Sequence, residues 1–194
     1  MKKFISVIIL IVLFIWGCST GLTQQWEHLQ SGDLLFVSDT TGMGQAVKES
    51  TGQYTHVALV ERMGDSLFVI DATQKYNVAR RPIDSTFAGK MPTVVYRLTI
   101  PFDTAAVLAR VHALIGKPYD NAFLPDNDAY YCSELIQAAF DTLFPSVPMN
   151  WRDKEGNLPE YWQKHFRELS MPVPEGVPGT NPNDLSRSNL LRKL

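Results

Sequence analysis

The sequence predicts an α+β fold in which an antiparallel sheet, laid down early in the chain, packs on helices that follow. Two observations carry this. From Tyr54 to Leu98 the apolar residues run in short strand-like blocks rich in β-branched side chains and separated by turn residues. From Asp103 onward the period lengthens: Ala106, Val107, Arg110, Val111 and Leu114 fall at helical spacing, with Gly116 as the stop. A third observation marks the centre of the molecule. The stretch Tyr130-Tyr131-Cys132-Ser133-Glu134-Leu135-Ile136 reads as the start of a helix that carries a cysteine in its first turn.

The 194 residues, 45% hydrophobic and 20% charged, suit one globular domain with a sizeable core. Residues 1–17 stand apart. Lys2-Lys3 followed by the apolar run from Phe4 to Trp16 has the form of a signal peptide and is short for a membrane span. It closes on Ile15-Trp16-Gly17-Cys18-Ser19, which resembles the lipobox of bacterial lipoproteins, although Trp16 stands where a small residue is preferred. That resemblance implies cleavage before Cys18 and its lipidation, and hence a protein anchored in a membrane of the bacterial cell envelope. A plain signal peptide or an uncleaved anchor is the alternative.

Cleavage would remove Lys2 and Lys3, leaving 16 of the 18 basic residues against 20 acidic ones, a net charge of −4. Such a balance argues against nucleic acid as a partner. With Cys18 used as an anchor, Cys132 has no cysteine to pair with, in a compartment where pairing is usual. Its alternatives are a buried apolar role or chemistry.

Residues 18–30 are expected to tether the domain, which spans 31–194, with Trp26 and Leu29 near enough to pack on it. Ser31-Gly32-Asp33 reads as a turn and Leu34 to Val37 as a buried strand. Residues 42–51 suit a short helix. Thr55 to Arg62 and Ser66 to Ala72 form a hairpin about Gly64-Asp65, Val78 to Pro82 continues the sheet, and Pro92 to Leu98 adds a strand. Helices are expected over 104–115, with Asp103 as N-cap, over 132–143, and over 158–168. The proline-rich segment 171–194 is expected to wrap over the surface.

The first turn of a helix presents free N–H groups and the positive end of the dipole, which favour a thiolate and can hold an oxyanion. A nucleophilic thiol needs a base, ordinarily a histidine held by a third polar group. His28 lies in the tether, His112 within a helix and His165 in the tail helix. His56 is different, since it sits in the strand Tyr54-Thr55-His56-Val57-Ala58-Leu59. Its hairpin partner contains Asp71 in an otherwise apolar strand, where a carboxylate is costly unless paired. Cys132 as nucleophile, His56 as base and Asp71 as orienter follow. Glu61 is the rival orienter, but its odd spacing from His56 points it to the other face.

Gly32-Asp33-Leu34-Leu35-Phe36, Tyr54-Thr55-His56, Val69-Ile70-Asp71-Ala72, Gly116-Lys117-Pro118-Tyr119-Asp120 and Tyr131-Cys132-Ser133-Glu134-Leu135 resemble, in that order, the motifs of the permuted papain-like amidases. These form the YiiX/YaeF-like branch of the NlpC-type cysteine hydrolases. The resemblance implies a circularly permuted papain-like fold, with the histidine strand ahead of the nucleophile helix. It implies glutamate where this chain has Asp71. It also implies that Tyr119 and Asp120, with Tyr54 and Tyr131, line the substrate pocket, Asp120 reading an amine or else serving only the loop.

Such a site needs no cofactor or metal. The expected reaction is hydrolysis of an amide, in a cell-wall (peptidoglycan) peptide or an amino-acid amide. A lipid-directed amidase, thioesterase or acyltransferase is the nearest alternative, and a binding lipoprotein without turnover is the alternative from another class.

Overall fold

The computed structural model describes residues 26–40, 42–87 and 93–194, the side chain at 142 excepted. The chain runs β1 (Leu34–Val37), α1 (Met43–Thr51), β2 (His56–Met63), β3 (Ser66–Thr73), β4 (Asn77–Pro82), α2 (Ile83–Phe87), β5 (Thr93–Leu98) and α3 (Thr104–Ala113). It continues through α4 (Cys132–Phe140), a 3-10 turn at Asp141–Leu143, β6 (Val147–Pro148), α5 (Glu160–Glu168), β7 (Pro178–Gly179), α6 (Pro182–Ser186) and β8 (Leu191–Lys193).

Six strands form one sheet in the order β4-β3-β2-β1-β5-β8, every pair antiparallel. Both of its faces are covered, which is why β1 and β2 read as nearly continuous apolar runs. Leu34, Phe36, Val57, Leu59 and Ile70 face α3 and α4, meeting Val107, Val111, Leu135, Ile136 and Phe140. Leu35, Val37, Ala58, Val60 and Val69 face the opposite way, onto Trp26, Leu29, Ile83 and Phe87. Trp26 and Leu29 are therefore core residues, and the folded domain begins several residues ahead of Ser31.

The expected hairpin is present, with Met63 paired to Ser66 across Gly64-Asp65. Asp103 caps α3 by accepting from the Ala106 N–H at 3.0 Å, a contact of about 1 kcal/mol. The Gly32-Asp33 motif serves the fold. Asp33 is fully buried and accepts a two-pronged contact from Arg97, at 2.6 and 2.7 Å. Gly32 has φ 94°, and a Cβ there would meet the ring of Phe102 at 2.3 Å, so only glycine fits.

Two expectations need correction. The segment 171–194 does not simply wrap over the surface: β8 extends the main sheet beside β5, and α6 and β7 pack beneath the start of α4. The helix expected over 132–143 ends at Phe140, where the positive φ of Asp141 breaks it into a 3-10 turn. Helix α2 carries no sequence signal strong enough to have been anticipated.

Candidate active site

Cys132 is the first residue of α4, directly after the N-cap Tyr131. The Glu134 carboxylate reaches back to accept from the Tyr131 N–H at 3.3 Å, closing one side of a capping box. The apolar face of α4, Leu135, Ile136, Ala139 and Phe140, is buried under the sheet, so packing fixes the helix and with it the thiol. The Cys132 residue is 8% exposed and its side chain borders a cleft of about 360 Å³.

His56 opens β2 and borders the same cleft. Its Nε2 lies 2.8 Å from Oδ2 of Asp71, which leaves Nδ1 as the ring nitrogen available to the thiol of Cys132 on the same cleft. Burial alone would lower the imidazole pKa. The hydrogen bonds and charges of Asp71 and Cys132 outweigh burial and push it up to about 10. Asp71 is 1% exposed. Burial would raise its pKa, but the contacts to His56 and Arg81 prevail and hold the carboxyl below its ordinary range.

Glu61 faces the other side of the sheet, where it accepts from Arg80 Nε at 2.5 Å and meets His112 Nε2 at 3.1 Å. It does not contact His56; the His112 ring lies within hydrogen-bonding reach of Glu61 instead. His165 is tied to the Asn121 carbonyl at 2.7 Å.

Sequence reasoning missed Arg81. Its Nη2 donates to both Asp71 oxygens at 2.7 Å. A usable signal was present: a buried carboxylate calls for a cation, and the neighbouring pair Arg80-Arg81 must point to opposite faces of β4.

The tail was also missed as part of the site. Thr180, Asn181 and Pro182 border the cleft. The Thr180 N–H donates to the Tyr131 hydroxyl at 2.9 Å and its carbonyl accepts from Ser133 Oγ at 3.1 Å, so this strand is stitched to the start of α4. Gly179 allows the approach; a Cβ there would fall 2.7 Å from Met149 and 2.9 Å from the Tyr131 hydroxyl. Asn183 holds both backbone groups of Tyr54, two residues before His56, at 2.9 and 2.7 Å.

Of the expected pocket residues, Tyr119 and Tyr131 border the cleft. The Tyr119 hydroxyl donates to Met43 Sδ at 3.5 Å, and burial keeps its phenol well above the ordinary value. Asp120 and Tyr54 do not border it. The Asp120 carboxylate is 2% exposed and accepts from the N–H groups of Ala122 and Leu124, both at 2.8 Å, so it organises its own loop and cannot read a substrate amine. Tyr54 is buried in the core, its hydroxyl 3.2 Å from that of Tyr96. Cys18 lies outside the described residues. Among the described residues no group of three or more histidine, cysteine or acidic side chains is arranged to hold a metal ion.

A thiol at a helix start, an imidazole beside it and a buried carboxylate behind the imidazole define a papain-like site, here with the histidine strand ahead of the nucleophile helix. The family described as the permuted papain-like amidase enzymes, YaeF/YiiX, C92, matches residues 28–194, and the chain belongs to that family of cysteine peptidases and amidases. Among solved structures, the chain is similar to the metalloprotein yiiX from Escherichia coli O157:H7. The TM-score is 0.72 at 21% identity, covering 85% of this chain and 96% of that one, a likeness of fold. No curated protein sequence matches the chain.

Proposed function

We propose that the protein hydrolyses an amide bond through a thioester on Cys132, at a bacterial envelope membrane to which lipidated Cys18 anchors it. The observation that carries the reading is the 2.8 Å contact of His56 Nε2 with Asp71, in a cleft that also contains a cysteine at a helix N-terminus. His56 takes the thiol proton, and the resulting thiolate attacks the substrate carbonyl. The helix N-terminus, beginning with the Cys132 N–H, faces the negative charge that develops on the carbonyl oxygen. His56 then protonates the departing amine. Water, deprotonated by His56, splits the thioester and returns the thiol.

The cleft supports an apolar acyl group as the part of the substrate that becomes the thioester. Met43, Val47, Phe123, Met149, Trp151 and Trp162 border it, a wall suited to aliphatic or aromatic groups. The cell-wall peptide expected from the sequence loses its reader of amines, because Asp120 is engaged with its loop. A lipid-derived or otherwise apolar acyl amide therefore fits the cleft better than a charged peptide, and thioesters of the same acyl group share the chemistry.

The test is a screen of acyl amides of increasing chain length, the matching thioesters and muropeptides, comparing the wild type with Cys132→Ala. Cleavage of apolar acyl amides by the wild type, lost at least about a thousandfold in Cys132→Ala, is the expected result. Turnover confined to muropeptides would overturn the acyl reading. Turnover that survives in Cys132→Ala would overturn the thiol mechanism, and binding without turnover of any of them would leave a binding lipoprotein.

A further inference from the structure

We propose that Arg81 is a positioning residue of this site, whose guanidinium fixes the Asp71 carboxylate and sets the pH range over which the Cys132–His56 pair is reactive. The inference rests on the thiol-hydrolase reading above and adds to it a residue from the edge strand β4.

The sheet dictates the placement. Arg81 registers with Val69, and Asp71 with Ala79, so Arg81 and Asp71 are diagonal neighbours on one face. His56 lies beyond Asp71 on the same face, giving a row of guanidinium, carboxylate and imidazole across β4, β3 and β2. Asp71 Oδ2 accepts from both His56 Nε2, at 2.8 Å, and Arg81 Nη2, at 2.7 Å, while Oδ1 accepts from Arg81 Nη2 at 2.7 Å. The Tyr76 ring backs the guanidinium at 4.8 Å.

The orientation of Arg81 has a cost that points to the same role. Its Nε is buried without a hydrogen-bond partner among the described residues. Leaving a donor unsatisfied is unfavourable, so the contact with Asp71 dominates over the side chain's own satisfaction. Arg80 shows the ordinary alternative one residue earlier, with its Nε on Glu61 and its plane over the Phe68 ring, on the opposite face.

Charge balance gives the functional consequence. In the reactive state Asp71 is anionic, His56 cationic and Cys132 a thiolate, a net charge of −1 in a largely buried cluster, which Arg81 brings to zero. The other ionisable groups bordering the cleft are Asp39, Lys75, Tyr119 and Tyr131, besides Tyr76 at the turn. On the Asp71 oxygens sit His56 and the Arg81 guanidinium. Removing the Arg81 charge makes each deprotonation in the cluster harder, so the whole reactivity profile moves to higher pH. Lysine would keep the charge without the planar fork.

The test is alkylation of the full chain by iodoacetamide from about pH 4 to about pH 10, read at the Cys132 peptide by mass spectrometry, for wild type, Arg81→Met, Arg81→Gln and Arg81→Lys. It needs no substrate. We expect the Arg81→Met and Arg81→Gln profiles to move up by about one pH unit, with a tenfold loss of rate near pH 6, and Arg81→Lys to stay close to wild type. If Arg81→Met does not fold by circular dichroism, Arg81→Gln carries the same expectation. A wild type that reacts only around the ~8.5 of an ordinary thiol overturns the site reading itself. A low-pH wild-type profile that is unmoved in the neutral variants, or moved as far by lysine as by methionine, overturns the role of Arg81 alone.

Discussion

His56 and Asp71 meet across a diagonal of the β2–β3 pair and not across a direct one. Carrying the register one step past Leu59 and Ile70 sets Asp71 opposite Ala58, two residues from His56 on the same face, and the side chains close the remaining distance to 2.8 Å. An aspartate is long enough here because the two strands are adjacent.

The contact predicts a specific effect for Asp71→Asn. The neutral amide can still accept from Nε2 through its one oxygen, at the cost of setting its NH2 against Arg81 Nη2, and the negative charge that helps push His56 up to about 10 is lost. The alkaline limb of the kcat/KM profile is expected to move down, with a loss of about 10- to 100-fold at neutral pH, less than the full contribution of a positioned acid–base group because His56 itself remains. An unchanged alkaline limb would show that His56 does not depend on the Asp71 charge.

Stability should fall as the pH rises from mild acid. Burial first, and then the charges of Asp120 and Asp126, push Glu134 up to about 8 from 4.5, against the opposing Tyr131 N–H contact. His56 is raised from 6.5 to about 10. A group with a raised folded pKa contributes fully below its unfolded value and loses that contribution as the pH climbs to its folded value. Glu134 therefore acts between 4.5 and about 8, and His56 between 6.5 and about 10. Asp71 has the opposite sign, its contribution being present above 3.8 and lost as the pH falls through its depressed value. Urea unfolding at several pH values should show Glu134→Gln flattening the lower part of the decline and leaving the His56 part. An identical slope in wild type and variant between pH 5 and pH 6 would contradict this.

Asn183→Ala should loosen the entry to β2. Asn183 holds the Tyr54 backbone at two points and donates to Thr51 Oγ1 at 2.9 Å, and it is 3% exposed. Leaving these groups unpaired is expected to cost about 1–3 kcal/mol in urea unfolding. Because Tyr54 leads into His56, the rate should fall with it. A variant as stable as wild type would mean that water replaces the amide fully.

The anchor is tested by intact mass with and without Cys18→Ala. Lipidation predicts a mass increase in the wild type that the variant lacks, and equal unlipidated forms would leave a plain signal peptide.

The sequence by itself determined the hairpin strands and the helix start that hold His56, Asp71 and Cys132, though not α2 or the tail elements β7, α6 and β8. Strand alternation exposed the hairpin, Asp71 stood out as a carboxylate in an apolar strand, and Cys132 fell where a helix had to begin. Odd spacing turned Glu61 away from His56, and it lies on the opposite face, paired with Arg80 and His112. These are local properties, fixed by periods of two and 3.6 residues.

Tertiary structure alone decided which polar groups are spent on the fold. Asp120 has the same look in sequence as a pocket acid, yet its oxygens are consumed by two loop N–H groups. Tyr54 sits next to the base strand but closes on Tyr96, 42 positions away. Arg81 and Asp71 become partners only when the edge strand is in register, and Asn183 reaches Tyr54 across 129 positions of chain. Such contacts depend on where separate elements come to rest against a shared core; for Arg81 the sequence offers a cation and a face, and only the strand register supplies its partner.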